Sequence, residues 1–309
     1  MESIPKHPWT SQNIPQPTSR FAVSPYKWRE WGLTLPSLTW LSLIVLLPTL
    51  MIVFVSLRAA DPYGGILPNW TTVAFSNIWK SGYLPIIWRT LSYSSLTTFL
   101  CVSVGLPVAW FLTHQSARVR NFLLLAIIVP FWTNMLIHIL AWKILLHPDG
   151  FLRTLLIHLH WITPDVMLLN RPGTVLLLLV YVYLPFAILP LYAAVSKFNF
   201  RLLEAAQDLG ASRWTTFVRV FLPGIRRGIG AAALLVFIPS LGCYVIPDLV
   251  GGPTSGMIAN KIAEKTFQAR NLPEAAAIST LIFGCMLLGW IVSAVAVRAS
   301  RRQVSQTAR

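Results

Sequence analysis

The sequence predicts an all-α membrane protein with six transmembrane helices, and three observations carry that prediction. Composition is the first: of 309 residues, 55% are hydrophobic and 11% charged, where a soluble domain carries about 25% charged residues. Second, six apolar runs, at 33–57, 91–113, 122–146, 174–196, 228–250 and 275–297, are each long enough to cross about 30 Å of hydrocarbon as a helix. Third, lysine and arginine are unevenly shared among the connecting segments. The N-terminal segment and every second one after it hold 16, the remaining segments hold 8, and Lys143 lies near the end of the third run where it can snorkel. Cations are retained on the cytoplasmic side, so both termini are expected there.

Taken in order, residues 1–32 form a cytoplasmic tail and interfacial segment. Pro5, Pro8, Pro15, Pro17 and Pro25 make it too polar and too broken to fold alone, which predicts disorder. The first run begins too far along the chain for the apolar core of a cleaved signal peptide, so it is expected to be retained. Tyr26, Trp28 and Trp31 precede it, the two tryptophans sharing one helical face as an interfacial anchor. The membrane region is 33–297, and 298–309 forms a second cytoplasmic tail.

Polar groups at membrane depth are costly and face a bundle interior or a cavity. The third run carries Trp132 and then Asn134, His138 and Trp142, the last three spaced four apart along one stripe. His138 reads either as a group lining a path or as a neutral imidazole bonded to a neighbouring helix. In the fourth run Tyr181 and Tyr183 cannot share a face, and Pro185 and Pro190 predict kinks. The fifth run is interrupted by Pro239 and Gly242 and carries Asp248 one turn after Tyr244. A carboxylate beside an aromatic face suits an ammonium group. Alternatively, Asp248 caps the turn ahead of Gly251-Gly252-Pro253.

Several function classes are excluded. The net charge of +15 is spread over juxtamembrane loops, which fits anionic lipid rather than nucleic acid. Cys101, Cys243 and Cys285 fall within the runs without metal-ligand spacing, and read as small packing residues. No paired intramembrane carboxylates, HExxH or GxSxG cluster suggests an enzyme. A stand-alone secondary transporter would show paired broken helices in two repeated halves, and no such repeat is visible.

The segment 197–227, between the fourth and fifth runs, is too long and too ordered for a connector. Asn199 is placed to cap a helix with Leu202, Ala205, Ala206 and Leu209 on one face. Glu204 and Asp208 lie four apart on a neighbouring face, where Arg201 is positioned to offset their repulsion. Gly210 suits a left-handed helix end. Ser212 is then an N-cap for a second helix with Trp214, Phe217, Val218 and Phe221 along one side, expected to stop at Pro223. Apolar stripes in cytoplasm need a cover. Either the helices lie flat on the bilayer, drawn by Arg213, Arg219, Arg226 and Arg227, or they dock a protein.

These residues resemble the permease subunits of binding-protein-dependent ABC importers. Glu204-Ala205-Ala206, Gly210 and Val220-Phe221-Leu222-Pro223 follow that family's Glu-Ala-Ala, three residues, Gly, nine residues, aliphatic-any-Leu-Pro pattern, with valine for the usual isoleucine. The resemblance implies a type I importer permease fold in the bacterial inner membrane. It implies a coupling helix formed by Glu204, Ala205, Ala206, Asp208, Leu209, Gly210, Ala211 and Ser212 that fits a groove on an ATP-binding subunit. It further implies a homologous second permease, two such ATPases and a periplasmic binding protein. No GxxxxGK[ST] stretch occurs, so ATP and magnesium are expected on the partner and no cofactor on this chain.

Pro130-Phe131-Trp132-Thr133-Asn134, Ala141-Trp142, Phe237-Ile238-Pro239-Ser240-Leu241-Gly242 and Val245-Ile246-Pro247-Asp248 resemble the spermidine/putrescine-type permeases more narrowly. So does Ala269-Arg270-Asn271-Leu272-Pro273. The resemblance implies a polyamine cargo, or another small cationic or amino-bearing metabolite. Asn271 replaces an acid, Leu272 a tryptophan, His138 a common arginine, and Cys243 a glutamate found in some relatives.

Overall fold

The computed structural model describes residues 27–80 and 82–307, with side chains described over 34–79, 82–289 and 291. The proline-rich tail and the Tyr26, Trp28 and Trp31 anchor fall outside the residues so described. The chain divides into two units, Met1–Met51 and Ile52–Arg309. Helix α1, Lys27–Ser56, supplies the described part of the first and continues into the second. It carries Pro36 and Pro48 without breaking.

After α1 comes a hairpin, β1 Arg58–Ala60 and β2 Ile66–Trp70, antiparallel with Ala60 opposite Ile66 and an irregularity between Arg58 and Ala59. Two residues on the strands and one in α1 hold it shut. The Arg58 guanidinium lies 4.5 Å from the Phe54 ring and 4.2 Å from the Trp70 ring, and those rings meet edge to face, a half-buried cation over two aromatic rings. A short helix α2, Val73–Lys80, leads to the long α3, Leu84–Thr113.

The third apolar run does not form one straight span. It is α4, Ala117–Ile128, a tight 3₁₀ turn at Val129–Trp132, and α5, Met135–Leu145, bent by 92° at the break. Pro130 and the Asn134 cap supply the local cause. Helix α6, Phe151–His158, and α7, Pro172–Val195, follow, and α7 runs through Pro185 and Pro190. With the bent pair counted as one span, six segments among the described residues are long and apolar enough to cross a bilayer.

Beyond α7 stand α8, Arg201–Asp208, and α9, Arg213–Thr216. The second of these was expected to stop at Pro223. Instead it continues through a π turn at Phe217–Phe221 into α10, Leu222–Leu241. A π turn widens the helix just ahead of Pro223, and a ring without an N–H is tolerated there as it is in a first turn. The fifth run likewise ends early, at Leu241, and resumes as α11, Val245–Val250. Helix α12, Ile258–Ala263, a second π turn at Glu264–Gln268, and α13, Leu272–Thr307, complete the chain.

The core is α3, α7 and α10 packed against one another. Small residues on α3, Cys101, Gly105 and Ala109, meet the leucine-rich side of α7, the close-packing device that binds helices where no hydrophobic effect separates them from lipid. Helix α10 approaches α7 as closely: a Cβ on Gly228 would lie 2.1 Å from that of Ala194. Cys101 and Cys243 are buried and Cys285 is exposed, and all three are free thiols.

A smaller cluster joins α2, α12 and the start of α13, and beside it lies a buried acid that the sequence reading did not single out. Glu274 is 5% exposed. Its carboxylate accepts from the Tyr83 hydroxyl at 2.9 Å, from Lys265 Nζ at 2.9–3.0 Å and from the Asn271 amide at 2.9 Å. Burial, then the Glu274 hydrogen bond, push the Tyr83 phenol well above its usual range, so it stays a donor. One carboxylate thus joins the start of α3, the second π turn and the start of α13. Glu274→Ala should cost about 3–5 kcal/mol by leaving donors and a cation unpaired, and Glu274→Gln less. Thermal unfolding in detergent checks this; equal stability of the alanine variant and the native chain would refute it.

Candidate functional site: an exposed helix–turn–helix and a broken span

Helix α8 begins where the Asn199 side chain accepts from the Arg201 N–H at 3.2 Å. It ends in a Schellman turn: the Gly210 N–H donates to Gln207 at 2.8 Å and the Ala211 N–H to Ala206 at 3.0 Å. Gly210 has φ +86°, a value costly to any side-chain-bearing residue. Ser212 Oγ then accepts from the Thr215 N–H at 3.2 Å and starts α9. The helix–turn–helix is therefore written into the local chemistry of Asn199, Gly210 and Ser212.

Its two faces are unlike. Phe200, Leu203 and Phe217 pack against the core, and Phe221 is fully buried. The expected stripe of Trp214, Phe217, Val218 and Phe221 is therefore split, because the helix carries on into α10 and turns its later rings inward. Leu202 and Ala205 stay outside, with Leu209 at 89% and Trp214 at 73% exposure. Glu204 and Asp208 are exposed beside them. Arg201 does not neutralise Glu204; among the described residues neither carboxylate has an ion-pair partner. An apolar knob ringed by free carboxylates is the result.

The break in the third span builds a second feature. Asn134 is not on the helical stripe: its Oδ1 accepts from the Leu136 N–H at 2.8 Å, capping α5. His138 is bonded through both ring nitrogens, to Tyr181 Oη at 3.1 Å and to Thr133 Oγ1. Trp142 meets Tyr181 edge to face at 5.5 Å, while Trp132 stands exposed. His138, Thr133 and Tyr181 border a hollow of about 250 Å³ walled also by Pro130, Phe131 and Phe186, whereas Asn134, Trp132 and Trp142 are not part of its wall. Tyr183 also touches the hollow, yet its hydroxyl donates to the Pro239 carbonyl at 3.2 Å. Thr133 was not singled out from the sequence as a partner of His138, nor Phe131 and Phe186 as walls of the same hollow. Pro130 followed by a capping Asn134 was the available signal that the helix breaks there and folds Thr133 back onto it.

Asp248 lies in the first turn of α11, a helix packed against α5 and α7. Its carboxylate is exposed and makes no hydrogen bond among the described residues. The Gly251 turn is instead closed by backbone, Gly251 N–H to Pro247 at 3.0 Å and Asn170 N–H to Val250 at 3.0 Å. Tyr244, half exposed, is held at its carbonyl by the Asn260 amide at 2.9 Å. Among the described residues no cluster of His, Cys, Asp or Glu is arranged to hold a metal.

Residues 102–301 match the family described as the binding-protein-dependent transport system inner membrane component. Over 252 residues the chain is 38% identical to the spermidine/putrescine transport system permease protein PotB of Escherichia coli K12, covering 81% of this chain and 92% of that protein. In fold it is similar to a crystal structure of a bacterial ABC transporter involved in the import of the acidic polysaccharide alginate. The TM-score is 0.68 at 20% identity, over 89% of this chain and 96% of that one. The same kind of transporter in complex with an alginate pentasaccharide-bound periplasmic protein gives a TM-score of 0.60, at 20% identity over 82% of this chain and 91% of that one. A match spanning more than half of the chain, together with that identity to PotB, is decisive: the chain belongs to the inner-membrane permease subunits of binding-protein-dependent ABC importers, which are transport components and not enzymes.

Proposed function

We propose that this permease carries a polyamine, delivered by a periplasmic binding protein, across the inner membrane in an assembly with a homologous second permease and two ATP-binding subunits. ATP and magnesium act on those subunits, and this chain holds no cofactor. The observation that carries the coupling half of the reading is the docking module. Its Schellman turn presents Leu209, Trp214, Glu204 and Asp208 outward, a surface suited to a protein groove and ill suited to anionic lipid, which repels carboxylates. Residues 204–212 are the contact. Closure of the ATPase pair pulls on them and switches the membrane cavity between inward- and outward-facing states.

Identity to PotB supports the cargo half of the reading. Asp248, Tyr244, His138 and Trp142 are proposed to line the path, with Trp132 and Asn134 shaping the break beside it. The hollow at His138 is aromatic and holds no carboxylate, so it suits the methylene chain and the cation–π recognition of an amine more than a multiply charged pairing site. That composition keeps a second cargo open, another small amino-bearing metabolite. Asn271 does not leave its surroundings uncharged, since it donates to the buried Glu274.

Three outcomes test this. Glu204→Lys reverses a free carboxylate and should leave the spans inserted while copurified ATPase and uptake fall; full uptake refutes the contact. Cysteines placed at Arg118 or Arg219 should be shielded from impermeant reagents in intact cells, and those at Tyr63 or Thr254 should react; the reverse pattern overturns the cytoplasmic placement of both termini. Asp248→Asn and Asp248→Ala should slow spermidine uptake alike, by several-fold for a loss of about 1–2 kcal/mol of charge-assisted attraction. Neither should lower yield, because the carboxylate closes no turn. Undiminished uptake by both removes Asp248 from the path.

A further inference from the structure

Under the docking module lies a closed circuit of four aromatic rings drawn from three separate parts of the chain. Trp110, on the last turn of α3, meets Phe221 of the first π turn at 4.8 Å and Phe200, just before α8, at 5.2 Å. Phe198 meets Phe221 at 5.3 Å and Phe200 at 5.6 Å. All four pairs are edge to face, with interplanar angles of 82–86°. The circuit has a lead to the surface: Phe217 stacks on Phe221, and the exposed Trp214 stacks on Phe217. On its other side His114 stacks on Trp110 and meets Phe200.

Edge-to-face pairs have a preferred geometry, and a four-membered circuit of them cannot shear without losing several at once. Close-packed interiors pass displacement on instead of absorbing it. The backbone around the rings leaves no slack either. A Cβ on Gly224 would sit 2.4 Å from the Phe198 ring, and α10 is seated against α7 at Gly228. Phe200 is the residue from which α8 springs, Trp110 belongs to α3, and Phe221 continues directly into α10.

We infer that this ring circuit is the mechanical link of the permease: it clamps the base of α8 to α3 and α10, so that displacement of the docking helix is delivered to the spans as a rigid-body movement. Trp110, Phe200 and Phe221 are positioning residues, acting through α8. The inference rests on the reading that α8 docks the ATPase, and adds how that contact reaches the membrane.

The test uses the full importer with its ATPase and binding protein in proteoliposomes. Leu84→Cys, at the far end of α3 and 73% exposed, is the reporter, with Cys285→Ser removing the exposed native thiol. With intact rings, labelling at position 84 by an impermeant maleimide should change when the ATPase is trapped with ATP. Trp110→Leu and Phe221→Leu should keep the ATPase bound and hydrolysing, yet lose that change. Spermidine moved per ATP should fall about fivefold or more, and Trp110→Phe should restore both. Should Trp110→Leu fail to fold, Phe200→Leu, at a half-buried ring, carries the same test. Leucine variants that retain the ATP-dependent labelling overturn the inference and leave the docking reading standing. Loss of ATPase binding in them also overturns it, since the rings would then shape the docking surface only. An intact-ring chain that retains no ATPase overturns the docking reading and this inference together.

Discussion

Hydrocarbon offers a backbone no hydrogen-bond partner, and every irregularity in this fold is arranged around that constraint. Where the third span breaks, the Asn134 side chain takes the Leu136 N–H, and the Thr133 N–H donates to Pro130. At the interruption of the fifth, Gly242 and Cys243 donate to Pro239 and Ser240, while Asn260 donates to the Tyr244 carbonyl. Where α9 passes into α10 and α12 into α13, π turns keep the backbone bonded while its register shifts. Among the described residues, each of these breaks has a local hydrogen-bond partner.

Because breaks need polar partners, they are also where polar side chains gather. His138 bridges Thr133 and Tyr181 at one, and Asp248 stands just past another. Glu274 gathers Tyr83, Lys265 and Asn271 at the end of the second π turn. The same logic governs the helix–turn–helix that precedes α10. A left-handed glycine ends one helix, a serine starts the next, and the π turn lets the second helix enter the membrane without the stop that Pro223 would otherwise impose. The second helix is thus continuous with α10 and not a loop hung beneath it, and the Trp110, Phe198, Phe200 and Phe221 rings meet at its base.

Much of this was legible in the chain. Apolar run lengths marked the spans, because crossing hydrocarbon demands about twenty such residues whatever they pack against. Asn199, Gly210 and Ser212 were readable because caps and left-handed ends are decided within four residues. The bend in the third span was less legible. Pro130 and Asn134 signal a break, but 122–146 is apolar throughout, and composition cannot distinguish a straight span from two helices at 92°. Glu274 was not legible at all. An acid three residues after an asparagine looks like an exposed helix start, until Tyr83, 191 residues away, reaches it.

By itself, then, the sequence determined what is local or extensive: helix where apolar residues run long, turns where glycine, asparagine and serine demand them, and a surface pattern on α8 that belongs to one family of permeases. Only the tertiary structure decided which aromatic groups meet. Trp110, Phe198, Phe200 and Phe221 close their circuit across more than a hundred residues of chain, and His138 finds Tyr181 on a different helix. Asp248 loses its role in the turn because backbone groups of Gly251 and Asn170 take it. Those outcomes depend on how α3, α7 and α10 seat against one another at Gly105 and Gly228. That is a matter of shape between distant surfaces, and no pattern along one strand of sequence encodes it locally.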